Sequence, residues 1–190
     1  MYKAIIFDFF DVVHADPFKA WLKKHNFSDP TPYLELMKEL DRGKLPSKDL
    51  YQQFHEISGL PLKEIIEDNM HKPLLDPDMP DFIRRLGRHY KIGLISNAAT
   101  EEIRPLLEEH GYEELFDYVM ISGEIGLIKP EAAAFKHILS QLGSVTDETV
   151  FIDDSQTNVD AACALGIKAI LFKSLPHLKR ELAMIGVEAS

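Results

Sequence analysis

The sequence predicts an α/β protein: a doubly wound parallel sheet with a helical cap inserted after the first strand. Two observations carry this. Short apolar runs recur along the chain and each ends abruptly in a polar residue: residues 4–7 before Asp8, residues 92–95 before Ser96 and Asn97, and residues 150–152 before Asp153 and Asp154. Parallel strands buried on both faces read as such runs, and stretches of helical apolar spacing lie between or after them. From about Pro17 to Met79, however, the alternation stops and only helical patterns are found.

The elements follow in order. Residues 4–8 form the first strand. PFKAWLKKHN, PTPYLELMKELDRG, PSKDLYQQFHEISG and PLKEIIEDNM each have helical spacing and a proline near the start. A helix tolerates proline there because the first N–H groups have no partner inside the helix. These four helices define a cap over residues 17–79, which divides a core made of residues 1–16 and 80–190. The alternation then resumes with PDFIRRLGRHY as a helix, KIGLIS as a strand and TEEIRPLLEEHG as a helix that Pro105 is expected to kink. DYVMIS is a strand, PEAAAFKHILSQLG a helix and TVFIDD a strand. SQTNVDAACALG is a helix closed by Gly166 in a left-handed cap, and KAILF is the last strand.

With 190 residues, 45% of them hydrophobic, the chain can bury one core that carries a sizeable insertion. The formal net charge of −10 argues against a phosphate-backbone surface, so nucleic acid is not expected as a partner. The single cysteine, Cys163, rules out an internal disulfide and fits a reducing compartment. The start MYKAIIFDFF lacks the pattern of a signal peptide, and no apolar run approaches the ~20 residues of a membrane span. The expectation is a soluble cytoplasmic protein with a small-molecule partner and no membrane. No pattern marks an oligomeric state.

In an open parallel sheet the carboxyl ends of the strands line one crevice, where ligands bind. Asp8, Ser96, Asn97, Asp153, Asp154 and a lysine in the Gly-Leu-Ile-Lys-Pro turn, Lys129, would therefore meet. Asp8 alone reads equally well as a turn or helix cap; in this company it is the candidate nucleophile, since a carboxylate can attack phosphorus. Adjacent carboxylates at Asp153 and Asp154 raise each other's pKa unless a cation is present, and Mg²⁺ favours one or two carboxylates with water and substrate oxygens. The plainer reading is that one of them caps the next helix, in competition with Ser155. Ser96 and Asn97 either cap the helix near Thr100 or bind phosphate oxygens at its positive end. Lys129 is either a solvated lysine or the group that neutralises a transferring phosphoryl.

The eight histidines show no metal-ligand spacing; His14, just past the first strand, is the one near the crevice. Phe18, Trp21, Tyr51 and Phe54 fall at helical spacings and read as the cap's own core rather than a stacking platform.

Together these residues resemble the haloacid dehalogenase-like hydrolase superfamily, whose four motifs match IIFDFFDVV, GLISN, GLIKPEAAAF and FIDDSQTNVDAACALG in that order. The insert resembles the small cap of the subgroup that includes sugar-phosphate phosphatases and the phosphatase domain of soluble epoxide hydrolase. The resemblance implies that Asp8 is nucleophile and metal ligand, with Asp154 and the backbone carbonyl of Phe10 completing a Mg²⁺ site and Asp153 in it or beside it. It implies that Ser96, Asn97 and the catalytic Lys129 hold the phosphate. Asn158 stands where many relatives have a further acid. The departure is Phe10 itself, where family phosphatases usually carry a second Asp as general acid; Asp11 stands in a place usually taken by glycine. Loss of such an acid removes ~10²–10⁴ in rate, so slow turnover of alkyl phosphates is expected.

The function implied is Mg²⁺-dependent hydrolysis of a small phosphomonoester, a sugar phosphate among the candidates, through an aspartyl-phosphate. Two alternatives stand beside it. One is a 2-haloacid dehalogenase, in which Asp8 displaces halide from carbon without metal. The other is a degenerate member that binds a phosphometabolite or a protein. A response-regulator receiver has its acidic pair first and its lysine last, in a chain of roughly one small domain, and is set aside.

Overall fold

Strand β1 (Ala4–Phe7) is buried along its whole length at the centre of a five-stranded parallel sheet. This computed structural model describes residues 1–70 and 73–188. Four helices follow β1: α1 (Pro17–His25), α2 (Thr31–Asp41), α3 (Ser47–Ser58) and α4 (Leu62–Met70). Then come α5 (Met79–Leu86), β2 (Lys91–Ser96), α6 (Thr100–His110), β3 (Tyr118–Ile121), the single turn α7 (Ser122–Ile125) and α8 (Ala132–Leu142). The chain closes with β4 (Thr149–Asp153), α9 (Gln156–Ala164), β5 (Lys168–Leu171) and α10 (Leu175–Met184).

The sheet order is β3-β2-β1-β4-β5. The strands are apolar throughout because both faces are covered. Ile5, Phe7, Leu94 and Ile152 pack on one side with α5, α6 and α10, while Ile6, Ile95 and Phe151 pack on the other with α8 and Ala162 of α9. Gly93 sits where α8 comes close, since a Cβ there would lie 2.9 Å from the Leu142 side chain. Phe7 is paired with Leu94 of β2 and with Ile152 of β4, so the next residues of all three strands emerge side by side. This is the point at which the winding reverses direction, the general location of ligand sites in such sheets.

The inserted helices have their own apolar cluster. Trp21 stacks on Phe54 with centroids 4.9 Å apart and rings 6° from parallel, and Tyr33, Leu40, Leu50 and Ile65 surround them. Asp16 starts α1 by accepting from the backbone N–H groups of Phe18 (2.9 Å) and Lys19 (3.3 Å), with Pro17 in the first helical position. Residues 71 and 72 of the expected cap lie outside the described residues. Helix α6 continues through Pro105. Gly166, the residue after the α9 C-cap Leu165, takes φ +85°, the left-handed conformation expected of it. No described helix is long and apolar enough to cross a membrane.

Candidate active site

Asp8 is the first residue past β1, and its backbone N–H donates to Ile152 O of β4 (2.9 Å), which fixes it beside the tip of that strand. Its Oδ1 lies 2.7 Å from Lys129 Nζ and accepts from Phe9 N at 2.7 Å. The Lys129 ammonium, 3% exposed, also donates to Asp153 Oδ2 at 2.7 Å. Burial pushes the Asp8 carboxyl well above the usual range; Lys129 opposes this, and the negative charges of Asp153 and Asp154 add to it. Burial works against the Lys129 ammonium, but Asp8 and Asp153 outweigh it and hold its pKa above the ordinary lysine value.

The acidic pair divides its work. Asp153 is fully buried and both of its oxygens are engaged within the chain: Oδ1 accepts from Ser155 N (2.8 Å), Oδ2 from Lys129, and Asn158 Nδ2 lies 3.1 Å from each. Asp153 is thus the member that receives the start of α9, and Asn158, at the position noted above for a further acid in relatives, holds it in place. Asp154 opens into a cavity of about 360 Å³, which Asp8, Ser96 and Lys129 also line.

Asn97 lines the same cavity, and its side chain is used within the chain. Its Oδ1 accepts from Lys129 N (2.8 Å) and its Nδ2 donates to Lys129 O (2.9 Å), so the amide is engaged by the lysine's backbone rather than held open for an anion. Ser96 does the reverse: its Oγ is buried at the cavity with no hydrogen-bond partner among the described residues. A buried hydroxyl without a partner is costly, and one beside a lysine and a strand-tip acid suits a ligand oxygen.

Phe10 lines the cavity and packs edge-on against Phe9, with centroids 5.3 Å apart. The bridge beside it uses the flanking peptides, His14 N donating to Phe9 O (3.1 Å) and Asp11 N to His14 O (2.6 Å). The carbonyl of Phe10 takes no part in that bridge. Asp11 adopts φ 56° and turns away into a separate depression beside Leu75 and Lys173. Its Oδ1 accepts from Asp16 N (2.9 Å) and its Oδ2 from Lys19 Nζ (2.8 Å). His14 is buried, its ring stacked on Phe9 at 5.1 Å, and does not line the cavity. Of the aromatic residues in the insert, Phe18, Trp21 and Phe54 are core and Tyr51 packs against them, as their spacing suggested; Phe18 and Tyr51 also line the cavity.

Several residues at this site carried no signal in the sequence. Lys19 of α1 reaches across to Asp154 Oδ2 (2.7 Å) as well as to Asp11, and the two acids hold its pKa up against burial. Asp41 at the end of α2 lines the cavity, with Phe18, Leu34, Met37 and Leu50 forming an apolar wall near it. Only contacts between distant segments bring these groups to the site.

The donor set fits a hard divalent cation. Asp8, Asp153 and Asp154 each offer an oxygen, and these lie within 4.8 Å of one another. Oxygen-only donors of high charge density suit Mg²⁺. Since Asp153 already has chain donors on both oxygens, Asp8 and Asp154 are the members suited to face an ion.

Residues 5–172 match the model of the haloacid dehalogenase-like hydrolases. A sesquiterpene phosphatase of Aspergillus oryzae is 32% identical over 153 residues, covering 78% of this chain and 75% of that protein. A drimenol cyclase of Aspergillus calidoustus is 26% identical over 80% of this chain but only 30% of its own length, so the chain spans under a third of that relative. A HAD family enzyme of Bacteroides thetaiotaomicron, solved as an Asp-to-Ala mutant with magnesium and inorganic phosphate, superposes with a TM-score of 0.75 at 21% identity over 94% of this chain and 99% of that one. That structural likeness shows the fold, and that enzyme was solved in complex with magnesium. The match along most of the sequence, with the strand-tip acids and the buried lysine, makes this chain a member of the haloacid dehalogenase-like hydrolase family.

Proposed function

We propose that this chain is a Mg²⁺-dependent phosphatase of a small phosphomonoester, working in the cytoplasm through an aspartyl-phosphate on Asp8. The observation that carries the reading is the Asp8–Lys129 contact of 2.7 Å in a cavity that Asp154 and Ser96 also line. Lys129 sits where it would neutralise charge on a phosphoryl oxygen, and Ser96 Oγ where it would donate to another. Asp8, Asp154 and the carbonyl of Phe10 would hold the cation, with Asp153 beside them. When bound, Mg²⁺ would offset the mutual repulsion of the acids and of the substrate's oxygens. Asn97 would place Lys129 with its side chain and offer its backbone N–H to the phosphate beside Ser96.

The alcohol part of the ester faces the wall of Phe18, Leu34, Met37 and Leu50. That wall favours an apolar alcohol over the sugar phosphates of the resembling subgroup, and the sesquiterpene phosphatase among the relatives supports the same direction. Residues 17–79 serve in this reading as a lid over the core of residues 1–16 and 80–190. Among the ion pairs that tie lid to core, Lys19 to Asp11 and Asp154 and Arg42 to Glu131 are partly exposed and cheap to open.

The test is release of inorganic phosphate from farnesyl monophosphate, glucose 6-phosphate and p-nitrophenyl phosphate, and of halide from 2-chloropropionate, each with and without Mg²⁺. The reading expects Mg²⁺-dependent phosphate release, fastest from the apolar esters and absent in Asp8→Asn. Halide release without Mg²⁺, and no phosphate release, would transfer the assignment to the dehalogenase.

A further inference from the structure

A phosphatase of this design needs an acid for the leaving alcohol, and Phe10 cannot be it. The acids around the cavity are mostly engaged. Asp11 accepts from Asp16 N and Lys19 and faces elsewhere, Asp16 caps α1, and Asp154 accepts from Lys19. Glu102 accepts from the Tyr51 hydroxyl at 3.1 Å. Asp41 is different: its Oδ1 is buried with no hydrogen-bond partner among the described residues, and the residue lines the same cavity as Asp8 and Lys129.

The chain holds Asp41 there by close backbone packing. Just beyond it, Gly43 takes φ +69°, and a Cβ at this position would lie 2.4 Å from Gly123 O of α7. Arg42 pairs with Glu131 at 2.5 Å, two residues past Lys129. The last turn of α2 is therefore docked against the segment that carries the buried lysine. Burial, then the charges of Glu102 on α6 and Asp16 ahead of α1, raise the Asp41 carboxyl to about 7 despite the pull of Lys129. An acid in that range is protonated often enough to donate and ionised often enough to accept.

We propose that Asp41 is the catalytic acid and base of this enzyme, supplied by the inserted helices in place of the acid missing at Phe10. The proposal rests on the phosphatase reading. In the first step an Asp8 oxygen bonds to phosphorus and the phosphorus–ester oxygen bond breaks. The electron pair stays on that oxygen, which takes the Asp41 proton and leaves as the alcohol. In the second step a water oxygen bonds to phosphorus, the phosphorus–Asp8 bond breaks, and the water's proton passes to Asp41. Asp8 returns as carboxylate, Asp41 as acid, and the product is inorganic phosphate.

The experiment uses n-hexyl phosphate, whose alkoxide needs a proton, and p-nitrophenyl phosphate, whose leaving group does not, with Mg²⁺ between about pH 5 and pH 9. In wild type, kcat/KM for the hexyl ester should fall above about pH 7 relative to the aryl ester. Asp41→Asn should lose ~10²-fold or more on the hexyl ester and lose that limb. On the aryl ester it should show a burst of one nitrophenolate per enzyme before a slow steady rate, as the aspartyl-phosphate waits for its base. Asp41→Glu should recover part of the hexyl rate. Parallel pH profiles for the two esters in wild type, which need no variant, would overturn the proposal, as would equal losses on both esters without a burst. If wild type hydrolyses neither ester, the phosphatase reading itself falls, and this proposal with it.

Discussion

Both ends of the Asn97 side-chain amide close on the backbone of Lys129, at 2.8 Å to its N–H and 2.9 Å to its carbonyl. The residue after β2 thereby fixes the loop that enters α8, and with it the ammonium that bridges Asp8 and Asp153. Asn97→Ala removes both bonds and leaves two backbone groups to find water. The expected cost is about 1–3 kcal/mol of stability together with a fall in kcat larger than any change in KM. Denaturant melts and steady-state kinetics check the two parts; a change in KM alone would return Asn97 to the role of direct phosphate ligand.

Lys129 is the only cation that an ion pair links to both Asp8 and Asp153 among the described residues. Lys129→Met leaves a buried carboxylate pair without its counter-charge, a change that typically costs about 3–5 kcal/mol. Without Mg²⁺ the variant should unfold at clearly lower denaturant than wild type. Added Mg²⁺ should narrow that gap, because it supplies positive charge to the same acids.

The Lys19 ammonium holds Asp154 at 2.7 Å and so competes for an oxygen that a cation would use. Wild type should gain thermal stability in millimolar Mg²⁺, and Asp154→Asn should lose most of that gain. Lys19→Gln should bind Mg²⁺ several-fold more tightly by calorimetry. A Lys19→Gln affinity equal to or weaker than wild type would show that the lysine does not oppose the ion.

The Asp41 carboxyl is raised from 3.8 to about 7, so the folded protein binds more protons than the unfolded chain between those values. Stability attributable to this group is therefore full below about pH 4 and is lost as pH rises through 7. Asp41→Asn should have little effect near pH 4 and should stabilise the protein by about 1–3 kcal/mol near pH 8. Urea melts at both values measure the difference directly. Equal effects at the two pH values would show that the carboxyl titrates normally.

The sheet, its order of elements and the strand-tip residues were legible in the sequence because each rests on local pattern. A wholly apolar run of three or four residues ending in a polar one carries its own evidence of a buried parallel strand, and the insert announced itself by losing that pattern. The partners of those residues were not legible. Nothing near Asn97 marks Lys129 as the group its amide would grasp, and nothing near Asn158 points to Asp153. His14 lay close to the crevice in sequence yet is buried with its ring stacked on Phe9. Lys19 and Asp41 belong to helices whose polar faces look like any solvated surface. Only the docking of Gly43 on Gly123 and the approach of α1 to Asp154 turn those faces inward.

The central claim is that Asp8 becomes phosphorylated. The most direct measurement is mass spectrometry of the peptide carrying Asp8, after acid quench of enzyme mixed with Mg²⁺ and p-nitrophenyl phosphate. The account predicts a gain of one phosphoryl group on that peptide in wild type, accumulating further in Asp41→Asn and absent in Asp8→Asn. Phosphate release with no adduct in either enzyme, persisting in Asp8→Asn, would contradict it.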